Sequence, residues 1–377
     1  MDLSLSEAQT MLKSSAREFL EQQCPTSLVR AMEEDERGYV PELWSKIAEL
    51  GWLGIPFPEK YEGTGGGLLD LGLLLEEMGR ALFPGPFFST VALGGLPVLD
   101  FGTAAQRGEL LPKLARGELL MTMAITEPSG SYAAQDLTVR ATPSGDGFRL
   151  EGTKLFVDNA HLANVMLVVA RTGQGRSPED GFSILLLDPH QPGVVLTPLK
   201  VGGGDKQSEV TFNGVVVPAK QTLGTVNGAW PQVQQALRKA TALQCADMAG
   251  GARKVLEMAV AYLKSRVQFG RPIGTFQVLQ HMAADMVVWV DSLQLLTYEA
   301  LWTLDQGMSG EKEVAAAKAW AAEAYRNVTT TSNQMHGGIA YMKEFDHQLW
   351  LRRAKAQELK LGQARVHYDA YARAHGF

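Results

Sequence analysis

Apolar residues recur with a helical period over the first third of the chain. Between residues 4 and 116, large apolar side chains return every three or four positions, as at Leu43, Ile47, Leu50 and Leu53. This spacing places them on one face of an α-helix. A loop rich in Gly and Pro, PFPEKYEGTGGG, separates two of the periodic segments. We therefore predict a group of helices joined by short loops.

The pattern changes to short β-rich runs between residues 119 and 223. Each run is bounded by Gly, Pro, Asn or Asp, as in NVMLVVART, FSILLLD, GVVLTPLK and SEVTFNGVVV, which is typical of strands joined by turns. No helical segment lies between the runs, and parallel strands usually need such a crossover. This part is therefore predicted to be a small antiparallel sheet without parallel βαβ units.

The helical period returns after Asn227-Gly228 and continues to the end of the chain. Three long segments and a shorter fourth are predicted, at roughly 230–267, 274–306, 311–335 and 344–375. The fold is thus predicted to be mostly α with a central β domain, and its last part to be a four-helix bundle. The predicted domains are residues 1–118, 119–226 and 227–377.

Charge and composition exclude several classes of protein. The 377 residues carry a formal net charge of −6, whereas a nucleic-acid-binding domain usually has a basic face. The two cysteines, Cys24 and Cys245, are far apart, so neither a disulfide framework nor a zinc cluster is expected. The first residues lack the basic and apolar regions of a secretory signal. We expect a cytoplasmic protein that binds no nucleic acid.

The longest uncharged stretch, residues 81–99, approaches the length of a membrane span. Pro84, Pro86 and Pro97 interrupt it, and proline breaks the helical hydrogen bonding that a bilayer requires. We expect the end of a helix, a loop and a short buried helix here, and no membrane span.

Common catalytic and nucleotide-binding motifs are absent from the sequence. The triple-glycine runs at 65–67 and 202–204 do not continue as a phosphate-binding loop or as a Rossmann fingerprint. The seven histidines form no HExxH motif, and no GxSxG elbow is present. A Rossmann domain, a metal site and a serine hydrolase are therefore not predicted.

Polar side chains are concentrated at a predicted bend between two long helices. Arg266 and Arg271 are five residues apart, with Gln268 and Gln277 beside them. Packing within a buried bundle does not require cations at such a corner. An anionic ligand does, because guanidinium groups pair with phosphate oxygens in a bidentate way.

This segment resembles the RxxFGxPIxxFQ signature of the acyl-CoA dehydrogenase family. Other stretches resemble further parts of the family in the same order: TEPSGS at 126–131, KLFVDN at 154–159, QMHGGIAY at 334–341 and RRAK at 352–355. Together they extend over nearly the whole chain. The resemblance implies an N-terminal helical domain, an antiparallel β domain and a C-terminal four-helix bundle.

The resemblance also implies FAD as cofactor and an acyl-CoA thioester as substrate. In the family an α-proton is removed while the β-hydride passes to the flavin, and the electrons go on to an electron-transfer flavoprotein. Carried over by position, the flavin side comprises Thr126, Ser131, Phe156 and Asp158. The pyrophosphate and adenine side comprises Arg266, Phe269 and Gln277, with Gln334, Gly337 and Gly338 contributed by another subunit.

A dimer or tetramer with two-fold symmetry is the expected assembly. The Ala-rich segment 314–326 offers a close-packing helical face. We expect this segment and the Gly337-Gly338 turn to be buried between subunits.

The sequence departs from the family at the catalytic base. Aligned on the motifs above, the two positions where family members carry the basic Glu fall at Leu361 and at about Ala240. Neither residue can accept a proton. Asp247 lies two helical turns after Ala240, and Glu358 lies about one turn before Leu361. Either could act as a displaced base, and Asp247 is the first candidate.

Two flavin-side positions differ as well. Phe156 stands where the family commonly has a Trp that stacks on the ring, and a phenyl ring still stacks. Asp158 stands where a Thr commonly donates a hydrogen bond to flavin N5. An ionised Asp158 at this place would disfavour an anionic reduced flavin through like-charge repulsion.

Three hypotheses remain open at this point. The chain is an FAD-dependent acyl-CoA dehydrogenase with a displaced base or an unusual substrate. Alternatively, it is the non-catalytic subunit of an α2β2 acyl-CoA dehydrogenase, in which it completes the FAD site of a Glu-bearing paralogue. A third hypothesis is a flavin monooxygenase on the same fold, which needs no α-proton base.

Overall fold

The computed structural model describes residues 4–377 and confirms a helical domain, a central β domain and a second helical domain in that order. The N-terminal helices are α1 (Glu7–Gln23), α2 (Thr26–Glu34), α3 (Pro41–Glu49), α4 (Leu68–Ala81), α5 (Leu96–Phe101) and α6 (Ala104–Ala115). A buried π-helical segment, Phe88–Gly95, leads directly into α5. The prediction of a helix end, a loop and a buried helix at residues 81–99 is therefore confirmed. Within residues 4–377, no helix is long and apolar enough to cross a bilayer.

The β domain is one eight-stranded sheet. Its strands are β1 (Met121–Ala124), β2 (Arg140–Ser144), β3 (Gly147–Asp158), β4 (Val165–Arg171), β5 (Phe182–Leu187), β6 (Val194–Leu199), β7 (Gln207–Pro218) and β8 (Thr222–Leu223). They lie in the order β6-β7-β3-β2-β4-β5-β8, and β1 pairs with β4.

The sheet is mixed, so the prediction of a purely antiparallel sheet is wrong. Strand β1 runs parallel to β4, beginning at the Met121–Val165 pair, and β2 has one parallel contact with β4 at Arg140. A helix is not needed to return the chain from β1 to β4, because the β2–β3 hairpin makes that connection.

The C-terminal helices are α7 (Trp230–Ser265), α8 (Gln277–Asp305), α9 (Glu311–His336), α10 (His347–Leu359) and α11 (Ala364–Ala374). A hairpin of β9 (Val267–Gln268) and β10 (Arg271–Pro272) lies between α7 and α8. The predicted fourth helix is divided into α10 and α11 because Leu361 and Gly362 both have positive φ angles, of 58° and 100°, which a right-handed helix does not allow.

The Ala-rich segment of α9 is buried inside its own chain. Val314, Ala317, Ala321 and Ala324 are at most 4% exposed, and α9 packs against α7, α8, α10 and α11. The expectation that residues 314–326 are buried between subunits is therefore wrong, since the bundle of one chain already covers this face.

Two glycines bring α4 and α7 unusually close together. A Cβ atom on Gly79 would lie 2.0 Å from the carbonyl oxygen of Asp247, and one on Gly250 would lie 1.7 Å from that of Glu76. Only glycine allows this backbone approach. The crossing fixes Asp247 at the boundary between the N-terminal domain and the bundle.

Candidate active site

Two cavities meet where the three domains come together. The sheet-side cavity, of about 420 Å³, lies between the β domain and the C-terminal helices and is lined by Thr126, Tyr132, Phe156, Asp158, Lys360 and Leu361, among others. The helix-side cavity, of about 80 Å³, lies between α4, α7 and α10 and is lined by Met78, Phe88, Gln244, Asp247 and Arg353, among others. Asp158, Asp205, Gln357 and Lys360 border both cavities.

The loop that carries Thr126 is held by a buried ion pair. Lys154 is fully buried, and its Nζ atom lies 2.7 Å from the carboxylate of Glu127. Glu127 also accepts hydrogen bonds from the backbone N–H groups of Thr138 and Val139. Burial opposes the charge of Glu127, but Lys154 and these donors outweigh it and lower its pKa. The loop after Thr126 is therefore anchored to β3, and this contact was not predicted from the sequence.

A bulge in β3 directs Phe156 towards the sheet-side cavity. Pairing between β3 and β7 is interrupted between Lys154 and Val157, and Phe156 takes a left-handed φ of 54°. This conformation is uncommon for a large side chain. The Phe156 ring is half exposed and lines the cavity, as does Thr126. Ser131 lies between the lining residues Gly130 and Tyr132, and its hydroxyl oxygen accepts the N–H of Ala133.

Asp158 is paired with a cation that the sequence argument did not anticipate. The Lys360 ammonium donates to one carboxylate oxygen of Asp158 at 2.5 Å, and Gln207 donates to the other at 2.8 Å. Burial opposes the charge of Lys360, but Asp158 and Asp205 outweigh it and raise its pKa. Asp158 is therefore not an isolated charge, because Lys360 is its counterion.

Leu361, which the sequence predicts to stand at one position of the family base, lines the sheet-side cavity. Its side chain is 8% exposed, and its backbone N–H donates to the Tyr132 hydroxyl at 3.1 Å. Its carbonyl oxygen accepts a hydrogen bond from His367 at 2.8 Å. Ala240, the other family base position, is fully buried in α7. Neither position brings a carboxylate to the cavity.

The two carboxylates considered as displaced bases are both paired. Asp247 is 5% exposed, and it accepts hydrogen bonds from the Arg353 guanidinium at 2.8 and 3.3 Å and from the Gln357 amide at 2.6 Å. It lines the helix-side cavity and is not among the residues that line the sheet-side cavity. Glu358 pairs with Arg326 and Lys355. Glu358 is not among the residues that line either cavity.

The predicted adenine-side residues lie on the surface of the bundle, outside both cavities. Arg266, Phe269 and Gln277 surround the β9–β10 hairpin, and Phe269 is 91% exposed. The exposed Gln334, Gly337 and Gly338 end α9. The two groups are near each other, since the Tyr262 ring of α7 lies 4.4 Å from the His336 ring of α9. Their contact with FAD stays a prediction.

Sequence reasoning missed four polar residues of the site, namely Tyr132, Asp205, Gln357 and Lys360. Arg353 lay in a recognised motif, but its ion pair with Asp247 was not predicted. The sequence held only weak signals for Lys360. It directly precedes Leu361, and a buried acidic residue such as Asp158 requires a nearby cation. Burial raises the pKa of Asp205 even though Arg353 and Lys360 oppose that change.

Comparisons with known proteins agree with this architecture. The chain matches the N-terminal, middle and C-terminal domain models of acyl-CoA dehydrogenases over residues 6–118, 122–215 and 227–375. It is 32% identical to a probable acyl-CoA dehydrogenase, YngJ, of Bacillus subtilis, over 99% of both chains. The structure of butyryl-CoA dehydrogenase from Megasphaera elsdenii matches with a TM-score of 0.92 and 29% identity over 100% of both chains.

A heteromeric relative is also similar. The structure of the ChsE4–ChsE5 complex from Mycobacterium tuberculosis matches with a TM-score of 0.91 and 27% identity, over 100% of this chain and 99% of that one. The three family models and the relatives agree on FAD as the cofactor and on an oxidoreductase. The chain belongs to the acyl-CoA dehydrogenase family.

Proposed function

We propose that this chain serves FAD-dependent acyl-CoA dehydrogenation as the base-lacking subunit of a heteromeric enzyme. In that assembly it binds FAD and completes the cofactor site of a paralogue, and the paralogue supplies the Glu that removes the α-proton. The enzyme is expected to be a cytoplasmic α2β2 tetramer that passes its electrons to an electron-transfer flavoprotein.

The apolar side chain of Leu361 is the observation that carries this proposal. It occupies the base position in the cavity where the flavin is expected, and two of the nearby carboxylates are held by cations. Asp158 is bound by Lys360, and Asp247 is bound by Arg353. Hydrogen bonds from Arg353 and Gln357 occupy the carboxylate oxygens of Asp247, and Lys360 and Gln207 occupy those of Asp158.

The residues present fit the flavin half of FAD. The exposed Phe156 ring offers a stacking surface, and the Thr126–Ser131 loop is fixed by the Glu127–Lys154 pair. Bound FAD supplies the hydride acceptor. Arg266 supplies a guanidinium for phosphate oxygens: it is exposed, and within residues 4–377 its side chain has no hydrogen-bond or ion-pair partner.

The exposed surface around the predicted adenine side supports an assembly of more than one chain. Phe269, Ile339, Tyr341 and Met342 are between 44% and 91% exposed in the single chain. Grouped exposed apolar side chains of this size mark interaction sites. The similarity to the ChsE4–ChsE5 complex supports a heteromer, because that relative was solved as a complex of two different chains.

A second candidate is a dehydrogenase that works alone with Asp205 as its base. Asp205 borders both cavities, and its partial burial raises its pKa, which favours proton uptake. Its nearest cation, the Arg353 guanidinium, is 3.8 Å away. Asp205 is therefore less firmly paired than Asp247, which remains a further candidate in this form of the hypothesis.

Co-expression with a paralogue that carries Glu at the position of Leu361 tests the proposal. We expect the two chains to purify together and to oxidise acyl-CoA. Replacement of the paralogue's Glu by Gln should abolish turnover, whereas Asp205→Asn and Asp247→Asn in this chain should retain it. Loss of turnover from Asp205→Asn in a correctly assembled complex would instead support the second candidate.

A further inference from the structure

The Lys360 side chain crosses the place where the two cavities meet. It starts at the end of α10, and its ammonium reaches Asp158 at the end of β3. The same ammonium lies 4.9 Å from the centre of the Phe88 ring, in the π-helical segment of the N-terminal domain. One side chain therefore contacts all three domains at a single point.

The partners of Lys360 hold it in this position. Asp158 is 7% exposed at its side chain and is also bound by Gln207. Asp205 adds a second negative charge, and the π face of Phe88 is attractive to a cation. Displacing the ammonium would leave Asp158 buried without its counterion, which is costly.

Lys360 and Asp158 both belong to the walls of both cavities. The ion pair is thus a partition between them, and the helix-side space is only about 80 Å³. An acyl chain that entered between the helices would have to pass this pair to reach the flavin. Alkyl carbon atoms cannot replace the hydrogen bonds of the pair, so the passage is unfavourable.

From these contacts we propose that the Lys360–Asp158 ion pair is a barrier that keeps acyl-CoA thioesters away from the flavin of this chain. The proposal rests on the proposed function, because a subunit without a base has no use for a substrate at its own flavin. It adds a separate claim, namely that the flavin site of this chain excludes substrate in addition to lacking a base.

Binding of CoA and of its thioether S-butyl-CoA tests the barrier without turnover. The thioether has no carbonyl group and therefore no acidic α-proton. Isothermal titration calorimetry of the FAD-loaded chain gives the ratio of the two dissociation constants. For the wild type we expect a ratio close to one, because the butyl group finds no apolar site.

The double variant Lys360→Met, Asp158→Thr removes both charges and leaves neither group unpaired. It should bind S-butyl-CoA at least tenfold more tightly than CoA, since roughly 0.8 kcal/mol is gained for each buried CH₂ group. Lys355→Met, at an exposed lysine of the same helix, is the matched control and should behave as the wild type does. Thermal unfolding shows whether each variant is folded. The single variant Lys360→Met removes the ammonium alone and, when folded, should show the same preference for S-butyl-CoA.

Three outcomes separate the barrier from the proposed function. A tenfold preference of the wild type for S-butyl-CoA would overturn the barrier, and so would a folded double variant without that preference. Either result leaves the proposed function intact if the chain alone still fails to oxidise acyl-CoA. Oxidation of acyl-CoA by the wild-type chain alone would overturn both.

Discussion

The backbone N–H of Leu361 donates a hydrogen bond to the Tyr132 hydroxyl oxygen at 3.1 Å. This bond connects the break between α10 and α11 to the loop that follows Thr126. It therefore fixes Leu361 of the bundle relative to the flavin-side loop of the β domain. Leu361 has a left-handed φ of 58°, a conformation that costs a leucine free energy and needs such support.

Replacement of Tyr132 by Phe should therefore destabilise the chain. The change removes the acceptor and leaves the N–H of Leu361 without a partner, which should lower the free energy of unfolding by about 1–2 kcal/mol. Denaturant unfolding measures this difference. Tyr341→Phe, at a tyrosine that is 80% exposed, is the control and should have no measurable effect. Equal stability of the two variants would show that the bond contributes nothing.

Arg266→Ala should weaken FAD binding. A charge-assisted hydrogen bond to phosphate is worth about 1.5–3 kcal/mol, so the dissociation constant for FAD should rise roughly 10-fold to 100-fold. Fluorescence titration of the apoprotein with FAD measures the change. Lys264→Ala removes another exposed cation at the end of α7 and should leave the affinity unchanged. Full FAD retention by Arg266→Ala would remove this assignment.

Much of the fold could be predicted because its signals are local. The helical period and the β-rich runs lie within short windows, and the flavin-side motif residues Thr126 and Phe156 do line a cavity. The Lys360–Asp158 pair could not be predicted in this way. Its members are about two hundred positions apart and meet only because α10 packs beside the end of β3. The parallel β1–β4 pair was missed for a related reason, since strand direction follows from the path of the whole sheet.

The identity of Asp247 as a base or a structural residue can be decided by Asp247→Asn. The substitution leaves the Arg353 guanidinium buried without its nearest counterion, and we expect a loss of about 3 kcal/mol in the free energy of unfolding. Turnover of the assembled heteromer, measured per folded complex, should stay close to that of the wild type. Loss of a general base would instead lower it by about 10²–10⁴-fold. Asp291→Asn, which breaks the exposed pair with Arg253, is the control and should affect neither quantity.

His347 should make the chain sensitive to mild acid. It is fully buried, and within residues 4–377 neither ring nitrogen has a hydrogen-bond partner. Burial, with a smaller contribution from His336, lowers its pKa from 6.5 to about 4. Below pH 6.5 the unfolded chain binds a proton at this histidine, whereas the folded chain does not bind one until the pH approaches 4. The free energy of unfolding therefore falls between pH 6.5 and pH 4, by up to about 3 kcal/mol from this group.

The variant His347→Leu should flatten that part of the pH profile of unfolding. His281→Leu, at an exposed histidine, should leave the profile as it is in the wild type. An unchanged acid dependence in His347→Leu would mean that other groups, such as His336 and His367, are responsible for it.

The central claim is that this chain binds FAD but holds no base for the α-proton. The most direct test mixes the purified, FAD-loaded chain with acyl-CoA thioesters of several chain lengths in the absence of oxygen and follows the absorption of oxidised flavin. We predict no bleaching by the chain alone, and bleaching once the Glu-bearing paralogue has been assembled with it. Bleaching of the flavin by the chain alone, complete within the time of one catalytic turnover of the assembled enzyme, would contradict the account.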